Sequence, residues 1–255
     1  MNSFLRIAAA SGRFGAMVRE WCFSSGCAVC GGMLPDRDDA FYGICGDCRN
    51  RLTPVREQRC AGCGRRLVSE TALCMDCRSW TGHSLGPLFS FFPYAGDYRT
   101  LMGAYKYGKN RNVGNFLALT ILQKLPLFVD PSEIPECWVP VPPRPGKLKK
   151  TGWDQVAFLC RCLERLRRFE PGGAGLRDFY IYPRLKRLPS RSQKELNRED
   201  RLGNLKGRIR CTGPVPRRVL LLDDVVTTGA TLEAAASVLK EGGASEVMGL
   251  TLFYD

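Results

Sequence analysis

One segment near the C-terminal end constrains the fold more than any other, because an apolar run leads into two acidic residues and a hydroxyl-rich turn. It reads Val219-Leu-Leu-Leu-Asp223-Asp224-Val-Val-Thr227-Thr228-Gly229-Ala230-Thr231. A continuous apolar run of this kind is typical of a strand that is buried on both faces of a parallel sheet. A helix over 231–241, a Gly-Gly stop and a strand over 247–253 complete a parallel α/β unit.

Apolar periodicity predicts further elements upstream of this unit. Strands are predicted over 89–94 and 137–141, and helices over 115–125 and 154–168. The alternation indicates one α/β domain over 86–255, and the mildly apolar start of the chain indicates a short helix over 1–24. No apolar run is long enough for a membrane span, and the start of the chain does not match a secretory signal, so we expect a cytoplasmic protein.

The turn after the acidic pair has the chemistry of a ribose 5-phosphate site. Ligands of open parallel sheets bind at the carboxyl ends of strands, and a helix N-terminus offers unpaired N–H groups to a phosphate. Two carboxylates beside such a turn are suited to a vicinal diol. A receiver-type Mg²⁺ pocket is the competing interpretation, but it does not need T-T-G-A-T at the start of the next helix. The candidate residues are Asp223, Asp224, Val225, Thr227, Thr228, Gly229, Ala230 and Thr231.

The cysteines predict a metal-binding module over 25–82. The chain has 13 cysteines, and most of them form four C-x-x-C pairs, a pattern that favours metal ligands over disulfides. C-x-x-C-G, a spacer and C-x-D-C-R occur twice, so the module is an internal repeat. Four thiolates close a tetrahedral site, which indicates structural zinc. Sequential pairing gives two ligand sets, with crossed pairing still open: Cys27, Cys30, Cys45 and Cys48, then Cys60, Cys63, Cys74 and Cys77.

The net charge of +13 favours anionic partners. Positive charge is concentrated over 144–150 and 184–191, which are either solvated loops, a clamp on pyrophosphate or contacts to a nucleic-acid backbone. The single histidine, His83, argues against a serine–histidine triad and against a multi-histidine metal site. Candidate stacking surfaces for bases are Tyr105, Tyr107 and Trp153.

Several stretches together resemble one known family. Besides the repeated cysteine pairs and the T-T-G-A-T turn, they are Leu101–Gly108 with Lys106, Val139-Pro-Val-Pro142, and the spacing of Gln193, Leu196, Arg201 and Asn204. The chain resembles the ComF family (competence protein F, amidophosphoribosyltransferase-like) over nearly its whole length. Members of that family place a double zinc ribbon before a type I phosphoribosyltransferase domain.

The resemblance implies roles for individual residues. Asp223 and Asp224 would hold the ribose 2′- and 3′-hydroxyls of phosphoribosyl pyrophosphate (PRPP), bound with Mg²⁺, and the turn would hold the 5′-phosphate. The family's R-G-F-N-Q is replaced by T-G-W-D-Q at 151–155, so that a lysine would replace the arginine. Thr227 stands where 6-oxopurine salvage enzymes carry an acid, which argues against hypoxanthine or guanine as a substrate. Candidates for the pyrophosphate loop are Pro142, Pro143, Arg144, Lys149 and Lys150.

Two functions follow from the resemblance. The first is a protein that binds PRPP or a ribose 5-phosphate group and takes part in single-stranded DNA uptake during natural transformation, with single-stranded DNA and competence helicase-type proteins as partners. The alternative is an active phosphoribosyltransferase, a glycosyltransferase that moves the pentosyl group to an amine or base and releases pyrophosphate. The sequence identifies neither the acceptor nor a catalytic residue.

Overall fold

The structure is a computed structural model that describes residues 26–54, 60, 67, 72–78, 84–168, 176, 179–189 and 207–255. The helix predicted over 1–24 lies outside the described residues. So do Cys63, His83 and the segment with Gln193, Leu196, Arg201 and Asn204.

A five-stranded sheet of order β1-β7-β6-β2-β3 forms the centre of the molecule. All four pairs of neighbouring strands are parallel. A separate antiparallel ribbon pairs β4 with β5. The strands are β1 (Leu88–Pro93), β2 (Cys137–Pro140), β3 (Tyr180–Ile181), β4 (Leu185–Arg187), β5 (Ile209–Cys211), β6 (Arg218–Val226) and β7 (Glu246–Tyr254).

Some of the helices begin after a residue whose side chain accepts hydrogen bonds from their first N–H groups. The side chain of Asn110 accepts hydrogen bonds from the amides of residues 112 and 113, and Asp154 caps the helix that begins at Gln155 by accepting from the amide of Ala157. The helices are α1 (Arg37–Tyr42), α2 (Gly46–Arg51), α3 (Met75–Arg78), α4 (Gly96–Lys106), α5 (Arg111–Phe128), α6 (Lys147–Thr151), α7 (Gln155–Leu166) and α8 (Ala230–Glu241). Within the described ranges, none of them is both long and apolar enough to cross a membrane.

The central strand β6 is buried on both faces, which explains its continuous apolar run. Leu220 and Leu222 belong to the core that includes α4, α5 and α7. Val219 and Leu221 belong to a second core, on the opposite face, that includes α8 and the β4–β5 ribbon. Alternate residues of a strand point to opposite faces, so both sets must be apolar. The predicted α/β fold with a parallel sheet behind a cysteine-rich module is confirmed.

The first cysteine block packs directly on the α/β domain. Tyr42, Ile44 and Leu52 are buried in the same core as α5 and α7. Two amides of α5 fix the end of α1, since Asn112 and Asn115 donate to the carbonyls of residues 40 and 41, each at 2.9 Å. The block is therefore held by apolar contacts and by hydrogen bonds to the helix that covers the sheet.

Candidate functional site

A crevice opens between β2 and β6 at the carboxyl ends of the strands. Pairing of β2 with β6 ends at Pro140 and Leu222, whereas β6 continues beside β7 as far as Val226 and Tyr254. The chain leaves β2 for α7 on one face and leaves β6 for α8 on the other. This divergence is the switch point at which ligands bind in open α/β sheets.

The acidic pair lies in the last part of β6, where β2 no longer covers it. The apolar run predicted a strand that ends at residue 222, but pairing with β7 extends the strand through Asp223 and Asp224. The backbone amide of Asp224 donates to Oδ1 of Asp223 at 2.8 Å. Burial and the neighbouring carboxylate of Asp224 raise the pKa of Asp223. Asp223 therefore holds a proton more readily than an ordinary carboxyl group does, and the pair offers oxygen acceptors to hydroxyl or ammonium donors.

A small cavity of about 50 Å³ lies between β6 and α8. Its lining is Asp223 and residues 225–232, so all eight residues predicted for ribose 5-phosphate lie in or beside it. Gly229 precedes α8 with φ of 74°, a left-handed conformation that favours glycine. Within the part of the chain that the structure describes, no side chain caps α8. Its first N–H groups and the hydroxyls of the turn can therefore donate to an anion in this cavity.

Lys106, at the end of α4, faces the acidic pair. Its Nζ lies 3.1 Å from Oδ2 of Asp224, and both side chains are largely buried. Burial disfavours the ammonium, but Asp224 and Asp223 outweigh that effect and raise the pKa of Lys106. Lys106 is therefore a charged group held in the crevice by a partner that lies far away in the sequence.

A buried amide joins Lys106 to a second lysine. The side chain of Gln155 donates to the carbonyl of Lys106 at 3.1 Å and accepts from Nζ of Lys147 at 2.5 Å. The carbonyl of Gln155 accepts from the hydroxyl of Tyr105 at 2.6 Å. Burial lowers the pKa of Lys147, and the charge of Lys106 adds to this effect, while Asp224 opposes it. The start of α7 thus fixes both lysines beside the acidic pair.

An arginine of the β4–β5 ribbon adds a further cation. Burial and the charge of Arg144 lower the pKa of Arg187, whereas Asp223 opposes the shift. Nε and Nη2 of Arg187 are buried and have no hydrogen-bond partner among the residues that the structure describes. Buried guanidinium groups are normally paired, so these donors suit an anionic ligand.

The candidates for the pyrophosphate loop are distributed around this crevice. Pro142 and Pro143 are half-buried directly after β2, and Arg144 is exposed. Lys149 and Lys150 are exposed on α6, on the helix that Lys147 begins. The sequence predicted Lys147 and Arg187 only as members of the two basic segments, since a single basic residue in such a segment carries no signal that distinguishes it from its neighbours.

Two of the three predicted stacking surfaces are wrong. Tyr105 is 0% exposed and Trp153 is 5% exposed, and their rings pack edge to face at 5.8 Å. Both rings belong to the core between α4 and α7. Tyr107, in contrast, is 72% exposed directly after α4.

A divalent cation does not fit between the two carboxylates as they stand. The ammonium of Lys106 already lies against Asp224, and Lys147 adds a second positive charge nearby. A magnesium ion prefers oxygen ligands in octahedral geometry, and an adjacent ammonium opposes its charge.

The first cysteine group fits zinc. The thiols of Cys27, Cys30, Cys45 and Cys48 lie within 4.8 Å of one another, which supports sequential pairing. Tetrahedral zinc with Zn–S distances of about 2.3 Å requires sulfur atoms about 3.8 Å apart. Cys30 and Cys45 show this separation, with Sγ atoms 3.8 Å apart.

The second cysteine group repeats the first. Cys60, Cys74 and Cys77 lie together, and Cys63 lies outside the described residues. The amide of Cys74 donates to Sγ of Cys60 at 3.2 Å, just as the amide of Cys45 donates to Sγ of Cys27 at 3.4 Å. The repeat seen in the sequence therefore extends to its hydrogen bonds, and both groups support structural zinc.

Comparisons with known proteins match both halves of the chain. A family model described as a double zinc ribbon domain matches residues 18–78. Competence protein ComFC of Streptococcus pneumoniae is 25% identical over 211 residues, which cover 82% of this chain and 86% of the relative. Competence protein F of Haemophilus influenzae is 25% identical over 247 residues, covering 88% and 95%. DNA utilization protein YhgH of Escherichia coli K12 is 24% identical over 221 residues, covering 80% and 94%.

Proposed function

Because the chain belongs to the ComF family, we propose that it acts in DNA uptake and binds a ribose 5-phosphate group, as in PRPP, in the crevice between β2 and β6. The names of the relatives support the DNA-uptake role. The crevice supports the ligand, because carboxylates, hydroxyls, free helix N–H groups and cations occur there together. The zinc module has a structural role, since four thiolates leave no coordination position open for a substrate.

The observation that carries the proposal is the combination of chemical groups around the acidic pair and the turn that follows it. The acidic pair of β6 offers acceptors to the 2′- and 3′-hydroxyls of a ribose. The turn at residues 227–229 and the start of α8 offer donors to the 5′-phosphate. Cations from α4, α6 and the β4–β5 ribbon interact electrostatically with the acidic pair. A ribose that carries anions at both C5 and C1 matches this set of groups.

Calorimetric titration with PRPP tests the ligand. We expect micromolar or tighter binding that is lost in the double variant Asp223→Ala with Asp224→Ala. Each substitution removes a charge-assisted hydrogen bond of about 1.5–3 kcal/mol, a loss of about tenfold or more in affinity. Asp97→Ala is the matched control, because that carboxylate is exposed and pairs with Arg51. Equal affinity in the double variant and the control would refute the proposed site.

Fluorescence anisotropy tests the DNA half of the proposal, with fluorescently labelled single-stranded oligonucleotides of different sequences titrated at several salt concentrations. Lys149 and Lys150 are exposed beside the crevice, and Tyr107 offers an exposed ring. With about four to six phosphate contacts, the logarithm of the affinity should fall against log[salt] with a slope of roughly −3 to −4. Replacing both lysines with alanine should flatten the slope, and Lys240→Ala on α8 should leave it unchanged. An identical slope in both variants would exclude this surface.

A second candidate function is transfer of the pentosyl group to an amine or base. It is favoured by the cations beside the acidic pair, because they would stabilise a departing pyrophosphate. Release of pyrophosphate from PRPP in the presence of a panel of amines and bases distinguishes this function from binding alone. A protein that binds PRPP and releases none supports the binding role.

A further inference from the structure

The crevice contains two lysine side chains that interact electrostatically with the acidic pair. Lys106 comes from the end of α4 and Lys147 from the start of α6, and both are partly buried. Lys147 belongs to the basic segment 144–150, but it is more buried than Lys149 and Lys150 in the same segment. Burying an ammonium is costly unless charge or hydrogen bonds compensate for it, so two of them beside one site require an explanation.

Lys106 is compensated by the acidic pair, at a distance of 3.1 Å from Asp224. This contact uses the same carboxylate that the diol of a ribose would use. A bound ribose therefore competes for Asp224, and Lys106 needs an anion on the ligand as its new partner. An anionic group at C1 of the ribose supplies that partner.

Lys147 is held by a neutral group. Its ammonium donates to the side-chain oxygen of Gln155 at 2.5 Å, and Gln155 is itself 3% exposed and anchored to the carbonyl of Lys106. The amide fixes the ammonium in place but does not neutralise it. Burial and the charge of Lys106 both lower the pKa of Lys147, which is the behaviour of a cation site that an anion would stabilise.

We infer that Lys106 and Lys147 supply the positive charge for which a divalent cation would otherwise be needed, so that the crevice binds a ribose 5-phosphate with an anionic C1 group, such as diphosphate, without Mg²⁺. This inference rests on the proposed ribose 5-phosphate site and adds the way in which its C1 end is neutralised. Gln155 ties the two lysines together, since it holds the ammonium of Lys147 and the backbone carbonyl of Lys106, while the ammonium of Lys106 contacts Asp224. Arg187, whose buried donors have no hydrogen-bond partner among the described residues, adds a further cation that interacts with Asp223.

The test measures PRPP affinity by calorimetry in two buffers, with the zinc content of the protein checked in each. One buffer has been passed over a chelating resin and contains no added divalent cation, and the other contains millimolar Mg²⁺. We expect the unaltered chain to bind PRPP with similar affinity in both buffers. Lys106→Met and Lys147→Met should each weaken binding about tenfold or more without Mg²⁺, since each removes a charge-assisted contact. Added Mg²⁺ should restore part of the loss.

Two further measurements separate a ligand contact from a folding defect. Ribose 5-phosphate lacks the diphosphate, so the lysine variants should weaken its binding less than that of PRPP. Lys106→Arg keeps the charge and should retain binding without Mg²⁺. Lys240→Met, at an exposed position on α8, is the matched control and should behave like the unaltered chain.

The outcomes distinguish the inference from the function on which it rests. Binding of PRPP by the unaltered chain only when Mg²⁺ is added would overturn the inference and leave the ribose 5-phosphate site standing. Lysine variants that affect PRPP and ribose 5-phosphate equally would also overturn it. Failure of both ligands to bind in either buffer would overturn the proposed function together with the inference.

Discussion

The two zinc groups should contribute unequally to the stability of the α/β domain, and one pair of substitutions measures the difference. Cys48→Ser and Cys77→Ser are matched, because each cysteine is 1% exposed and each is the last cysteine of its C-x-D-C-R block. Each removes one of four proposed ligands. Only the first lies in the core that contains α5 and α7.

The expected loss of stability depends on which side chains each zinc group holds in the core. Tyr42, Ile44 and Leu52 are buried with Cys48 in the core of the α/β domain. Burying each such side chain is worth about 1.5–3 kcal/mol, so releasing the block exposes apolar surface worth roughly 5–9 kcal/mol. A typical domain has a free energy of unfolding of about 5–15 kcal/mol, so this loss is comparable with the entire stability of the domain. The second group packs only against the partly buried Leu67 and Leu73 within the described residues.

Urea unfolding followed by far-ultraviolet circular dichroism measures the destabilisation by each substitution, and the zinc content is measured in parallel. We expect Cys48→Ser to lower the midpoint strongly or to prevent folding, and Cys77→Ser to leave the main transition near its original midpoint while one zinc is lost. Hydrogen exchange of the strand peptides from β6 and β7 supplies a second readout. Equal destabilisation by the two substitutions would refute the reasoning that only the first block shares the core.

Three further changes test the local chemistry. Arg49→Ala should lower the free energy of unfolding by about 3–5 kcal/mol, because it leaves the buried carboxylate of Asp39 unpaired. Arg51→Ala breaks an exposed ion pair and should lower it by about 1 kcal/mol or less. Urea titration measures both values. The pKa of Asp223 is raised from 3.8 to about 8, so the folded state binds this proton more tightly than the unfolded chain does. The free energy of unfolding should therefore fall as the pH rises from about 4 to about 8. Asp223→Asn should flatten this pH dependence, and an unchanged profile in the variant would contradict the prediction. Gly229→Ala places a side chain at φ of 74° and should lower stability by about 1–2 kcal/mol and weaken PRPP binding, both measurable by calorimetry.

Much of the framework could be predicted from the sequence, because local interactions determine it. The apolar run before Asp223 indicated a strand buried on both faces, and the helix after Gly229 begins where the turn chemistry predicts. The spacing of the cysteines indicated four-ligand groups, since two C-x-x-C turns can reach one metal. Residues close in the chain carry enough information for these features.

Some elements were missed although part of their signal is local. Leu101, Met102 and Tyr105 are buried at helical spacing in α4, but the segment was interpreted only through its resemblance to a family motif. The β4–β5 ribbon was interpreted as a basic loop, because its strands have three residues each and pair across a separation of more than twenty residues. Short strands with charged residues on the exposed face give little periodicity.

The chemistry around the acidic pair was decided by the tertiary structure alone. Lys106, Lys147 and Arg187 come from three elements far apart in the chain, and the sheet brings them to Asp223 and Asp224 because parallel strands present their carboxyl ends at one edge. The sequence determined which residue types the chain carries and where its strands and zinc turns begin. Packing decided which of its many basic residues face the carboxylates, since an ammonium that enters the crevice must be held there by partners from other elements.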